Sequence, residues 1–376
     1  MQVGSRGLVR QIQLFFRPPM PEAHARLADV SGFVLMGLAA IAICGDALAE
    51  GILAQSEEYA VLAPRSSRSL LLDVAAIAGR LIAVGERGHV LISDDQGRSW
   101  SQVRVPTRVM LTGVFFLDRD RGWAVGHDAV ILRTKDGGNN WELVHHAPEE
   151  ETPLFDLWFS DAQNGYAIGA YGLVLVTADG GTWIQHQIVE NEASDAGSNV
   201  SDDVESMDFS GIDLDDYSAA YDFHLNSIVC SKNGRLYVAA EAGNLYRSDD
   251  NGRSWSSLPS PYHGSFFGFL PLADDSLLIF GLRGHLYRSD DAGASWQKIL
   301  TNTDATLNAG VIVDDGTVAV VGLGGVVLLS HDGGHTFQLH QQPGRKGYSA
   351  AVESADGQLI LVGESGISRL VFNDDD

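Results

Sequence analysis

The sequence predicts an all-β chain, a seven-bladed β-propeller, from three observations. One is a phrase of the form S/T-x-D-x-G-x-S/T-W/F, the Asp-box, which returns at Ser93–Trp100, Thr134–Trp141, Thr177–Trp183, Ser248–Trp255, Ser289–Trp296 and Ser330–Phe337. A second is V-G-x-x-G or a near relative, whose first small residue falls at Gly85, Gly126, Gly169, Ala240, Gly281, Gly322 and Gly363. Its steps are 41, 43, 71, 41, 41 and 41 residues, and the odd step is one period plus a 30-residue insertion. A period of about 40 residues signals four-stranded blades arranged radially. The third is a mismatch: seven hairpin phrases against six boxes leave the last blade short of one strand.

Taken in order, the chain opens with Arg6, Arg10, Arg17 and Arg26, then an apolar run from Phe33 to Cys44 that ends in Ala47-Leu48-Ala49. This reads as a secretory signal over residues 1–49, with Met20 as an alternative start. The run is shorter than the about 20 residues a membrane span takes. The propeller is expected over residues 56–372. Glu58–Pro64 reads like the fourth strands elsewhere, with Tyr59 where the box aromatic stands. It is therefore expected to act as an N-terminal strand closing the last blade, which would leave the ring no open edge.

Blade one then runs from Leu70 to Ile77, turns near Gly79, and continues as Leu81 to Gly85 and Val90 to Ser93. After the box, Trp100 opens a fourth strand that ends near Pro106. Each run is short, rich in Val, Ile, Leu and aromatics, and bounded by Gly or Asp. The other units align on it at Leu111, Leu154, Leu225, Phe266, Leu307 and Tyr348. The last supplies only Ser349–Glu353, Leu359–Gly363 and Ile367–Phe372. The insertion, residues 189–222 in the link after blade three, holds eleven Asp or Glu and no Lys or Arg. Such a composition cannot bury enough apolar surface to offset its ordering entropy, so disorder is expected. An acidic arm docking on a basic partner through Met207 to Tyr217 is one use for it. A calcium loop is another, although Asp213-Leu-Asp-Asp216 lacks the Gly and distal Glu of an EF-hand.

Composition bounds the partners. Lys and Arg number 25 against 49 Asp and Glu, a formal charge of −24 at pH 7. That surface repels phosphate backbones and anionic headgroups, which excludes nucleic acid and direct membrane insertion of the mature chain. The cysteines are Cys44 and Cys230, so leader cleavage leaves one and no intrachain disulfide. A bulky Ile ahead of Cys44 argues against lipidation there. The mature chain is read as an exported monomer, in a periplasm or an equivalent lumen.

Box chemistry is structural. The third residue (Asp95, Asp136, Asp179, Asp250, Asp291, Asp332) is expected to accept backbone N–H groups across the turn. The fifth (Gly97, Gly138, Gly181, Gly252, Gly293, Gly334) is expected to take a positive φ. The closing aromatic is expected to pack between strands, contributing roughly 1.5–3 kcal/mol if fully buried. A catalytic residue is needed once per molecule, whereas these recur six times. The third box is one residue short between Gly181 and Thr182, so its turn is expected to be distorted.

Strand alternation places the box turns on one face and the hairpin tips with the interblade links on the other. Loops on a rigid scaffold carry binding. The tips present Glu86, Arg87, His127, Asp128, Tyr171, Glu241, Arg283, His285 and Glu364; the links present Arg65, Arg68, Arg108, Tyr262, His263, Arg345, Lys346 and Tyr348. Arg and Tyr are enriched at interface hot spots. The residues selected as partner-binding are Arg87, Arg108, Asp128, Tyr171, Tyr262, Arg283, Arg345 and Tyr348.

Hydrolysis is the contrasting reading, because Asp-boxes also occur in sialidases. Such an enzyme should carry an Arg-Ile-Pro motif ahead of the first box, yet the nearest match, Arg104-Val-Pro106, follows it. A two-carboxylate glycosidase would draw on Asp128, Glu241 and Glu364. His145 and His146 are adjacent and point to opposite sides of a strand, and His331, His335 and His340 have no Cys beside them. No metal site and no cofactor are expected.

The chain resembles the photosystem II stability/assembly factor-like proteins, in phrases such as Val84-Gly-Glu-Arg-Gly88, Ile168-Gly-Ala-Tyr-Gly172 and Val362-Gly-Glu-Ser-Gly366, over nearly all of Ser56 to Phe372. The resemblance implies a single seven-bladed propeller without catalytic activity that binds a membrane-protein subunit or precursor during assembly. It also implies an arginine-rich binding surface, for which Arg87, Arg108 and Arg283 are the corresponding positions. The acidic balance and the long acidic insertion depart from that family's pattern.

Overall fold

Alternation of apolar runs and Gly or Asp turns builds seven antiparallel sheets, one per repeat. A computed structural model describes residues 59–188, 223–272 and 275–370. The readings for residues 1–49 and 189–222 lie outside the described residues. The inner strands are Leu71–Ile77, Leu111–Phe116, Leu154–Phe159, Leu225–Cys230, Phe266–Pro271, Leu307–Ile312 and Tyr348–Glu353, each starting at or within one residue of the expected position. Within each blade the strands follow in chain order from the axis outward. Neighbouring blades cover both faces of a sheet, so the inner strands are buried almost throughout instead of showing an in-out alternation.

Every inner strand carries a bulge at its second residue: Leu72, Thr112, Phe155, Asn226, Phe267, Asn308 and Ser349 are the extra residues. A bulge re-aims its side chain, and here three of the polar ones reach the next blade. Thr112 Oγ1 donates to Leu154 O at 2.7 Å, Asn226 Nδ2 to Phe266 O at 2.6 Å and Asn308 Nδ2 to Tyr348 O at 2.8 Å. One residue further on, Asp73 accepts from Val114 N at 2.9 Å and Asp156 from Ile228 N at 2.8 Å. Five of the seven junctions are thus joined by a buried polar group near the axis.

The small residue that opens each hairpin phrase has a steric cause. A Cβ at Gly85 would stand 2.2 Å from Leu70 O, because the next N–H, of Glu86, donates to that same carbonyl at 3.0 Å. Blade four manages with Ala240, whose φ of −136° differs from the −178° of Gly85.

Closure departs from the expected latch. The last sheet has three strands, Tyr348–Glu353, Leu359–Gly363 and Gly366–Leu370, and Tyr59 to Pro64 do not join it. Instead Ala60 N donates to Val105 O at 2.9 Å, and Gln102 of blade one both accepts from Ala63 N at 2.7 Å and donates to Val61 O at 3.0 Å. Arg104 lies over the Tyr59 ring, 4.8 Å from its centroid. The physical reason is that the Ala60 methyl, 2% exposed, finds an apolar seat in the cluster with Val84, Val90 and Val105, and Gln102 satisfies the flanking backbone. Ser66–Arg68 then passes over Gly366, the position that each interblade link takes over its own tip. The ring itself closes through side chains: Leu71, Leu81 and Leu91 of blade one share a single core cluster with Ala351, Ile360 and Leu361 of blade seven.

Candidate functional site

The box turns behave as the sequence predicts. In the first box Asp95 accepts from Ser99 N at 2.8 Å, Ser99 Oγ at 2.6 Å and Ser93 Oγ at 2.8 Å. The Ser99 hydroxyl and amide, with Ser93, hold the Asp95 carboxyl at about 2, and Ser254 does the same for Asp250. The third box is the exception. Gly180, not Gly181, takes the positive φ, +72°, and its N–H donates to Thr177 Oγ1 at 2.9 Å, since the missing residue slides the turn back by one. Burial of the closing aromatics is also uneven: Trp255 is 2% exposed, whereas Trp100 and Trp296 are only half-buried.

Four arginines of the box face are committed to acids, and two of these reach the next blade as well. Arg80 pairs with Asp94 at 2.7 Å, Arg133 with Glu142 at 2.6 Å, Arg235 with Asp249 at 2.8 Å and Arg288 with Asp290 at 2.6 Å. Arg80 also donates to Gly137 O at 2.8 Å and Arg288 to Gly333 O, so each guanidinium clamps the following box. Sequence reading missed this second set of stitches, because the arginines stand in strands outside the box phrase.

On the opposite face six of the seven hairpin tips share one conformation. Arg87, Asp128, Tyr171 and Arg283 occupy the same position of four tips, in the left-handed region at φ 56°, 56°, 52° and 55°. A non-glycine residue there is strained by about 1–3 kcal/mol unless the surroundings hold it. The flanking turn does so, and it turns these side chains outward; Tyr171 is 61% exposed.

The other selected residues divide. Arg345 is exposed in the link to blade seven. Arg108 is exposed too, but its Nε donates to Tyr59 O at 2.8 Å and so holds the N-terminal segment. Tyr262 stacks on His285, centroids 3.9 Å apart, as part of an aromatic group with Phe266 and Tyr287. Tyr348 opens an inner strand and lies half-buried against the core shared by blades six, seven and one, where burial pushes its hydroxyl pKa up. Its place just after the link reads as surface in one dimension only.

Arg65, Arg68, Arg87, Arg104, Arg345 and Lys346 are exposed together around blades six, seven and one, and no ion pair ties them to an acid among the described residues. Val61 and Leu62, 64% and 58% exposed, lie in the same arc. Glu86 and Glu364 stand among these residues at the tips of blades one and seven, while Glu149 and Glu150 in the link after blade two and Glu241 at the tip of blade four lie on the other side. His224, which sequence reading overlooked because it stands outside the tip phrase, accepts from Tyr171 N at 3.2 Å, and Glu241 caps its backbone N–H at 3.3 Å. The acids named for hydrolysis, Asp128, Glu241 and Glu364, stand on blades two, four and seven, so no two share adjacent tips. Among the described residues, no group of three or more His, Cys, Asp or Glu is arranged to hold a metal ion, and no helix is long and apolar enough to cross a membrane.

Residues 92–154 match the family described as Photosynthesis system II assembly factor YCF48. The chain is 34% identical over 82 residues to a chloroplastic photosystem II stability/assembly factor of Cyanidioschyzon merolae, and 40% identical over 43 residues to the photosystem II assembly protein Ycf48 of Thermosynechococcus vestitus. These matches span 20% and 11% of this chain and only 19% and 12% of those relatives' lengths. A Ycf48 bound to D1 peptide superposes with a TM-score of 0.61 at 17% identity, covering 84% of this chain and 95% of that one. A streptogramin B lyase reaches 0.63 at 12% identity, covering 82% and 95%. The structural likenesses establish the propeller, and the lyase shows that the fold alone does not choose between binding and catalysis. The matched sequence segments establish similarity to the photosystem II assembly factors.

Proposed function

We propose, from that similarity to photosystem II assembly factors, that the chain is a non-enzymatic propeller that binds a membrane-protein subunit or precursor on its hairpin face and assists assembly of the complex to which it belongs. The observation that carries this reading is the division of the arginines. On the box face Arg80, Arg133, Arg235 and Arg288 are held in ion pairs, while Arg65, Arg68, Arg87 and Arg345 are exposed, without an ion pair among the described residues, on the face where the loops vary. Keeping exposed cations together in a chain of −24 formal charge gives a local field opposite to that of the whole. It suits an acidic or carboxylate-bearing segment, with Val61 and Leu62 beside it for apolar contact.

Export to a periplasm or lumen belongs to the same reading. It is supported by the leader expected over residues 1–49 and by the naming of the Trichormus variabilis relative as an assembly lipoprotein. The test is capture of solubilised membrane proteins by the full chain beside an Arg87→Glu/Arg345→Glu variant. The wild type should retain a stoichiometric membrane-protein partner, and the variant should lose at least about tenfold of it, as hot-spot arginines do. Equal capture by both would refute the assignment of this face.

A further inference from the structure

Beyond the hairpin face, the opposite mouth of the axial channel is a cavity of about 630 Å³, within the about 300–1,000 Å³ range of small-molecule sites. Its wall is made by the ends of inner strands, with Ile77 of blade one, Leu272 following the inner strand of blade five, Val313 following that of blade six and Val352 of blade seven turned toward it. Two carboxylates line it as well, Asp314 and, directly after Val352, Glu353. The Glu353 carboxylate accepts from Asp314 N at 2.8 Å, and no lysine or arginine among the described residues forms an ion pair with it.

The neighbouring cations are engaged elsewhere. Arg98 and Arg369 both pair with Asp356, at 2.7 and 3.1 Å, and Arg80 on the rim pairs with Asp94. Lys232 lines the same cavity from blade four, across the ring, and is exposed to solvent. Burial, and after it the charges of Asp314 and Asp315, push the Glu353 pKa up against the bond from Asp314 N. Apolar walls around a carboxylate that lacks a cation suit an ammonium on an aliphatic stem, which satisfies both at once.

We propose that this mouth binds a small aliphatic primary amine, its ammonium paired with Glu353 and its methylenes lying against Ile77, Val313 and Val352. A single ammonium fits better than a diamine, because Lys232 stands at the far rim.

Calorimetric titration of the full-length protein with n-pentylamine at neutral pH tests this. Saturable binding is expected, weakened at least about tenfold in Glu353→Gln, whose side-chain carbonyl still accepts from Asp314 N and so preserves the turn. n-Pentanoate should not bind, and Arg87→Glu on the other face should leave the amine's affinity unchanged. Absence of saturation in the wild type, equal affinity in Glu353→Gln, or binding of n-pentanoate as tight as that of the amine would each overturn the proposal. The Arg87→Glu control separates its failure from a failure of the partner-binding face.

Discussion

At Asn308 the amide nitrogen donates to Tyr348 O while the side chain is fully buried, so the residue ties blade six to blade seven from inside a bulge. Replacing it with Ala leaves a buried carbonyl with one partner fewer, a loss of about 1–3 kcal/mol measurable by urea denaturation. Asn226→Ala should behave alike at the junction of blades four and five. Titration adds a second residue-scale expectation. Burial lowers the pKa of His89 and His127 below 6.5, against the opposing charges of Glu86 and Asp128, with Arg87 adding to the lowering at His89. The unfolded chain then binds more protons than the folded one as pH falls below 6.5, so stability should decline from there downward in melts taken between pH 7 and 5. The box aspartates act in a lower window. Asp95 and Asp250 have folded values of about 2 against 3.8 in the unfolded chain, so their contribution is lost only as pH falls below about 4. Box residues were legible in the sequence because one physical requirement recurs six times. Thr112, Asp156, Asn226 and Asn308 were not, since Thr, Asn and Asp alternate irregularly among the junctions and the bulge beside which they act exists only once the strands pair.

Among the elements, the third box shows how a deletion is absorbed. With one residue fewer, the left-handed position moves to Gly180, where a Cβ would stand 2.4 Å from Ala162 O. At Gly181 the nearest obstacle is the movable end of Arg133. Gly180→Ala should therefore lower the thermal midpoint clearly more than Gly181→Ala, the reverse of what the aligned motif implies; comparable effects would show that the turn has not slipped. The N-terminal segment teaches the opposite lesson. Its sequence matches a fourth strand, and Tyr59 stands in the aromatic's place, yet Ala60 is seated in blade one. Pattern locates the segment in the repeat, but competition between two apolar seats decides which edge receives it.

For the molecule as a whole, the seam between the first and last blades rests on packing. Ile360 and Leu361 meet Leu81 and Leu91 in one cluster, Arg98 pairs with Asp356 at 2.7 Å, and Ala355 N donates to Gln96 at 2.8 Å. Ile360→Ala should cost about 2–5 kcal/mol. A chain shortened to begin at Pro64 should still unfold in one calorimetric transition, at a lower temperature; a split transition would mean that the segment, not the side chains, holds the ring shut. The sequence by itself determined the number of blades, the start of each inner strand and the structural role of the boxes, because these follow from local periodicity and turn chemistry repeated many times. Only the tertiary structure decided where the N-terminal segment lies, which arginines are held in ion pairs across the box face, and that Tyr348 is half-buried against the core. Those outcomes depend on groups from different blades meeting around a common axis, a relation that spacing along one chain does not contain.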